Sequence, residues 1–162
     1  MDIVITYVNG LDPIWQQEYA KHTNTPILEK RFRDWGTLKY LFRGIETNMP
    51  FIRKVHLVVS GESQVPKWLN REQVNVVLHK DIIPAQLLPT FNCNPIEMHL
   101  HNIADLDEEY IYFNDDIFPL LPCPPIRAAI RRASQYSTLV LRQKILSHLG
   151  WSPTKEESSP GS

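Results

Sequence analysis

Four short runs rich in β-branched and aromatic residues punctuate this chain: IVITYV (3–8), VHLVV (55–59), VNVVL (74–78) and YIYF (110–113). Each is apolar almost without a break. Neither face of the strand it forms suits water, which calls for a sheet covered on both sides. Helical patterns lie between the runs. Leu38, Leu41, Phe42, Ile45 and Met49 recur at helical spacing and make one apolar stripe, with Asp34 placed to cap that helix and Pro50 to follow its end. NPIEMHLHNI (94–103) predicts a second helix, with Asn94 at the N-cap, Pro95 at the first helical position and Glu97 closing a capping box. Ile96, Leu100 and Ile103 are its buried face. Strands alternating with helices predict an α/β domain whose sheet is mainly parallel and flanked by helices.

The 43% hydrophobic and 22% charged content fits a soluble globular chain, and its 162 residues allow one domain with an appendage. No run reaches the roughly 20 apolar residues of a membrane helix, so no transmembrane segment is expected. The chain opens directly on strand-like DIVITYVNG, without the basic-then-apolar order of a secretion signal, so the expected location is cytoplasmic. Cys93 and Cys123 lack the spacing of a disulfide framework or a zinc site. Charge is uneven. Residues 1–116 hold 11 basic and 16 acidic side chains, residues 117–162 hold 6 and 2, and no acidic residue falls between Asp116 and Glu156. That boundary suggests a core over 1–118 and a basic, Pro/Ser-rich tail over 119–162. A helical basic segment in the tail could lie against an anionic membrane surface, giving a peripheral position at the inner membrane face.

Ligands of open α/β sheets bind beyond the carboxyl ends of the strands. YIYF runs straight into Asn114, Asp115 and Asp116 at such an end. Paired carboxylates are hard oxygen ligands suited to Mg²⁺ or Mn²⁺ carrying a diphosphate. Neighbouring strand residues point to opposite faces, so both can reach one metal only if the chain turns at Asp115. The alternative is that one Asp caps the following loop. TYVNGLDP brings Asn9, Gly10 and Asp12 to the same edge; a glycine turn admits close backbone approach by a nucleotide, and N-G with D-P is equally turn chemistry. KRFRD (30–34) sets Lys30, Arg31 and Arg33 before a helix start, as a phosphate site or a solvated turn. Glu97 and His101 stand at i, i+4, either as an oriented base or with Glu97 spent on its cap.

Taken in order, DIVITYVNGLDP, RFRDWGTLKYLFRGIETNMPFIRKVHLVVSG, VPKWLN, LPTFNCNPIEMHLHNI and YIYFNDDIF resemble the Stealth family of sugar-phosphate transferases, over residues 2 to about 118. The resemblance implies a Rossmann-like fold of the nucleotide-sugar-transferase kind. It implies transfer of a sugar 1-phosphate from a nucleotide-sugar to a hydroxyl of a glycan or lipid-linked saccharide, in capsular or exopolysaccharide synthesis. A nucleic-acid partner is not expected. In that picture Asp115 and Asp116 hold Mg²⁺ or Mn²⁺, and Asn9, Gly10, Asp12 and Asn114 line the nucleotide-sugar. Arg31, Arg33 and Asp34 contact phosphate or order the site, and His101 with Glu97 accepts the hydroxyl proton. Family members continue past the Asn-Asp-Asp motif, so the chain reads as truncated. Two other readings stay open: a metal-dependent glycosyltransferase, and an inactive remnant or binding module.

Overall fold

In a computed structural model, residues 1–24 and 32–123 are described. Lys30, Arg31 and the tail beyond Cys123 therefore lie outside the described residues, as does most of the segment expected as a separate tail.

Four strands form one all-parallel sheet: β1 (Asp2–Thr6), β2 (Lys54–Val59), β3 (Val74–Leu78) and β4 (Tyr110–Asn114), in the order β3-β2-β1-β4. The four apolar runs are these strands, with ends shifted by at most two residues. Alternation sends Val4, Val58 and Val77 to one face. There they pack with Ile82 and Ile83, with Leu100 and Ile103 from the end of the second predicted helix, and with Leu106. Ile3, Ile5, Leu57 and Val59 point to the other face and are also buried. Leu38, Leu41 and Ile45 of α2 (Leu38–Asn48), with Met49 at its C-cap, form the buried stripe that the spacing predicted, while Phe42 lies edge-on to Trp68 at 5.9 Å.

A helix that the apolar periodicity does not reveal, α1 (Pro13–His22), follows the first strand. Its signal is local: Asp12 at the N-cap accepts a hydrogen bond from the Ile14 N–H, with Pro13 at the first position. Trp15 and Tyr19 on α1 pack with Phe32 and Phe91 as an aromatic cluster. The remaining helices are short, α3 (His79–Ile82) and α4 (Cys93–His99), the latter running into a 3₁₀ turn at Leu100–Asn102. Packing continues past residue 118: Asn48 donates through Nδ2 to the Pro119 carbonyl at 2.7 Å and accepts from the Cys123 N–H at 2.8 Å. No described helix is long and apolar enough to cross a membrane.

The amino edge of the sheet holds a buried polar network. Asp2 is fully buried and accepts from Arg53 (2.7 and 3.0 Å), His56 Nε2 (3.1 Å) and the Asp107 N–H (3.0 Å). His56 Nδ1 accepts from the Asn75 amide at 2.9 Å, which fixes the neutral tautomer with its proton on Nε2. Burial pushes the Asp2 carboxyl up, but the bonds from Arg53, Asp107 and His56 outweigh it and hold the group below its usual 3.8. A depressed carboxyl means that the unfolded chain binds the proton first. The network's stabilisation is therefore complete above about pH 4 and lost as pH falls below that. Asp2→Ala strands the His56 and Asp107 donors and should cost about 2 kcal/mol or more at pH 7, with a shallower acid limb in urea unfolding followed against pH.

Candidate functional site

The sheet changes direction at β1, because β2 and β3 build out on one side and β4 joins on the other. At such a switch point the loops leaving neighbouring strands diverge and open a crevice beyond their carboxyl ends. Thr6 and Asn114 are paired across the strands. The next residues, Tyr7 and Asp115, therefore leave the sheet on the same face.

Asp34 joins them there. The Tyr7 hydroxyl donates to Asp34 Oδ2 at 2.8 Å, and the Gly36 N–H donates to Asp34 Oδ1 at 2.7 Å. Gly36 takes φ 66°, a left-handed conformation that costs glycine little, and so folds the chain back over the Asp34 carboxylate. The helix begins only afterwards, at Leu38, with Thr37 as N-cap. The capping role expected of Asp34 is thus corrected: Tyr7 and Gly36 take its oxygens, and it faces the crevice.

β4 ends at Asn114, and a turn covers Asp115 and Asp116, closed by the Ile117 N–H donating to the Asn114 carbonyl at 3.2 Å. This is the turn that two adjacent carboxylates need in order to reach a common centre. Burial raises the Asp115 carboxyl to about 6, with the negative charges of Asp116 and Asp34 adding to the effect. Tyr7 is likewise raised, by burial, by its bond to Asp34, and by the charges of Asp34 and Asp115. No salt bridge reaches any of the three carboxylates among the described residues.

Among the described residues no cationic side chain pairs with this cluster, and a hard divalent cation is a partner that its oxygens suit. Among the described residues no three His, Cys, Asp or Glu side chains converge as a ready-made ligand group. Magnesium sites, however, commonly take one or two carboxylates and complete the shell with water and substrate phosphate. Asp115 and Asp116 fit that pattern.

Asn9, Gly10 and Asp12 have internal partners. Asn9 Oδ1 accepts from the Leu11 N–H at 2.9 Å. Asp12 caps α1 and also accepts from Ser63 Oγ and Gln64 Nε2, each at 2.6 Å. Gln64 Oε1 accepts from the Asn9 N–H at 2.6 Å, which ties the loop together. Gly10 does permit a close backbone approach, but to Phe32: its N–H donates to the Phe32 carbonyl at 3.0 Å. The space that a missing side chain leaves at Gly10 is thus filled by Phe32.

The second predicted helix is also corrected. Its N-cap is Asn92, whose side chain accepts from the Asn94 N–H, so Glu97 closes no capping box. Glu97 instead accepts from the Tyr112 hydroxyl at 3.2 Å, and that hydroxyl lies 2.9 Å from Thr6 Oγ1. The helix tightens after His99. His101 is exposed, its ring stacked 6.4 Å from that of His99, and no hydrogen bond joins it to Glu97 among the described residues. The Glu97–His101 dyad is not built. Alternation also puts Tyr112, the partner of Glu97, on the sheet face opposite Asp115. Arg33 is exposed and stacks over Trp35 at 4.3 Å. Asn114 stands at the carboxyl edge of β4, and Arg31 lies outside the described residues. Sequence reasoning missed Tyr7 and Gln64. Tyr7 follows the first strand directly, at the edge where ligands bind, and that position was the available signal.

The family model described as Stealth protein CR2, conserved region 2, matches residues 31–131, which reaches beyond the limit near 118 expected from the motifs. Among curated proteins, the chain is 42% identical over 134 residues to the receptor polysaccharide phosphotransferase WefC of Streptococcus oralis. It is 38% identical over 134 residues to the capsular polysaccharide phosphotransferase WcwK of Streptococcus pneumoniae. With the capsular polysaccharide phosphotransferase LcbA of Aeromonas hydrophila it shares 36% over 157 residues. These matches take in 77%, 77% and 91% of this chain but only 40%, 40% and 42% of the relatives. The chain thus spans about two fifths of the length of the curated relatives it matches.

Proposed function

The chain belongs to the Stealth family, and from that premise we propose that its sheet is the donor-binding core of a sugar-phosphate transferase serving capsular or exopolysaccharide synthesis. The donor is a nucleotide-sugar, and the acceptor is a hydroxyl of a glycan or lipid-linked saccharide. The acceptor hydroxyl releases its proton to solvent as its oxygen forms a bond to the phosphorus nearer the donor sugar. The bond from that phosphorus to the bridging oxygen breaks, and nucleoside monophosphate leaves with the electron pair.

Asp115 and Asp116 would hold Mg²⁺ or Mn²⁺. Bound there, the cation would neutralise diphosphate charge and stabilise the leaving phosphate. Tyr7 and Gly36 hold Asp34 as a fixed carboxylate at the rim of the same crevice. The Asn9–Asp12 loop, locked by Gln64, sets the wall beyond β1. The proposed setting is cytoplasmic.

The observation that carries this reading is a carboxylate cluster, without a salt bridge among the described residues, at the switch point of a parallel sheet. Its test is the nucleotide released when the chain meets a nucleotide-sugar and an acceptor saccharide with Mn²⁺. Monophosphate supports the proposal. Diphosphate would mean cleavage at the sugar carbon and a glycosyltransferase instead. The two-fifths coverage of the relatives favours a second reading, a donor-binding module that does not turn over alone. Metal-dependent donor binding without release of nucleotide would select it.

A further inference from the structure

The carboxylate cluster occupies only one half of the sheet's carboxyl edge. On the other half, beyond β2 and β3, a cavity of about 260 Å³ is lined by Ser60, His79, Lys80, Glu18, Leu88 and Phe91, among others. A larger one, of about 350 Å³, lies at the amino ends of β2 and β3 around Lys54 and Arg71, away from the crevice.

His79 sets the smaller cavity apart. It follows β3 directly, is only 7% exposed, and its imidazole has no hydrogen-bond partner among the described residues. Buried polar groups are normally satisfied. No fully enclosed side-chain nitrogen or oxygen lacks a partner among the described residues, so the ring nitrogens of His79 are not sealed off, and the residue lines the cavity. Burial lowers the imidazole to about 4, which leaves it neutral at physiological pH, with one donor and one acceptor. Phe91 also lines the cavity, held by Tyr19 (4.9 Å) and Trp15 (5.6 Å) and still partly exposed.

We propose that this cavity binds the nucleobase of a nucleotide-sugar, with His79 hydrogen-bonding to the edge of the base and Phe91 bounding its apolar face. The proposal rests on the donor-binding reading above and adds the subsite that reads the base. A neutral donor–acceptor pair beside an aromatic wall matches a planar ring whose edge carries donors and acceptors side by side. Lys80 and Glu18 bring opposite charges to the lining, which does not suit a purely anionic ligand. The spacing agrees. The cavity lies between β2 and β3 and Asp115 follows β4, about two and a half strand spacings away, roughly 12 Å. Alternation carries Ser60 and His79 off on the face of Val58 and Val77 and Asp115 on the other, so a nucleoside diphosphate with its base in the cavity and its phosphates at the carboxylates would cross the edge between the two faces.

The test is calorimetric titration of the full chain, with Mn²⁺, against UDP, CDP, ADP and GDP, with inorganic diphosphate as the base-free probe. One nucleotide should bind best, by about tenfold or more. His79→Phe should cost that nucleotide about tenfold and erase the preference while leaving inorganic diphosphate unchanged. His79→Asn keeps a donor and an acceptor in less volume and should retain part of the preference, so it carries the test if the Phe variant folds poorly. Unchanged nucleotide affinity and preference in folded His79 variants overturns the base site and leaves the carboxylate reading intact. Nucleotides that bind no better than inorganic diphosphate overturn it as well. If diphosphate itself fails to bind with Mn²⁺, the carboxylate reading falls, and this one with it.

Discussion

Asp115→Asn should stabilise the isolated chain at neutral pH and abolish its response to divalent cations. The wild-type carboxyl titrates near 6 in the fold, against 3.8 as its ordinary value. Between those pH values the folded chain keeps a proton that the unfolded chain has released, so stability falls as pH rises through the window. Above about pH 6 the whole penalty is in force. Asparagine cannot ionise and escapes it. Asp115 is only partly buried, and solvent screens such a group, so the gain is about 1 kcal/mol, or about 3 °C in Tm at pH 7.5 and nothing at pH 4. Mn²⁺ or Mg²⁺ should raise the wild-type Tm by mass action and leave the variant where it is. Thermal melts at the two pH values, with and without metal, decide the matter. A variant less stable than wild type at pH 7.5 would mean that the carboxylate is already compensated. A variant that still responds to metal would remove Asp115 as a ligand.

The strain in that carboxylate explains why the fold was easier to read than the site. Strands covered on both faces announce themselves, because IVITYV, VHLVV and VNVVL are apolar almost throughout, and each holds a strand whose ends shift by two residues at most. The α2 stripe was legible for the same reason. Helix starts were not. Asp34 and Asn94 both have good capping chemistry, but capping is a local preference worth about 1 kcal/mol, and tertiary partners outbid it. Tyr7 and Gly36 claimed Asp34, and Asn92 took the cap two residues before Asn94. With the box gone, Glu97 was free for Tyr112, which is 15 residues away in sequence and invisible to any helical spacing. Asp115 and Asp116 stood out as candidates because two adjacent carboxylates directly follow an apolar run. Tyr7 was passed over, since an aromatic residue after a strand reads as more core, and only its place at the edge where ligands bind marked it out.

Gly10→Ala is the substitution expected to cost most without altering a crevice side chain. A methyl group there would run into the Phe32 carbonyl oxygen and stand 2.6 Å from Phe32 Cβ. The obstacle is backbone, so no rotamer change relieves it, and the loop after β1 must part from the segment that carries Phe32. Separation breaks the Gly10–Phe32 hydrogen bond and loosens Phe32 from Trp15, 4.8 Å away in the aromatic cluster. Together these should cost about 2–4 kcal/mol. Two residues after Phe32 comes Asp34, so the same displacement should pull that carboxylate from Tyr7 and weaken the stabilisation by divalent cations. Gly61→Ala is the matched control, because its backbone is extended and a methyl group there meets nothing within 4 Å. It should stay within about 0.5 kcal/mol of wild type. Urea unfolding of the three proteins, with and without Mn²⁺, measures both effects. If Gly10→Ala unfolds with the wild type, the two loops are not locked as described, and the position of Asp34 in the crevice depends on something other than this contact.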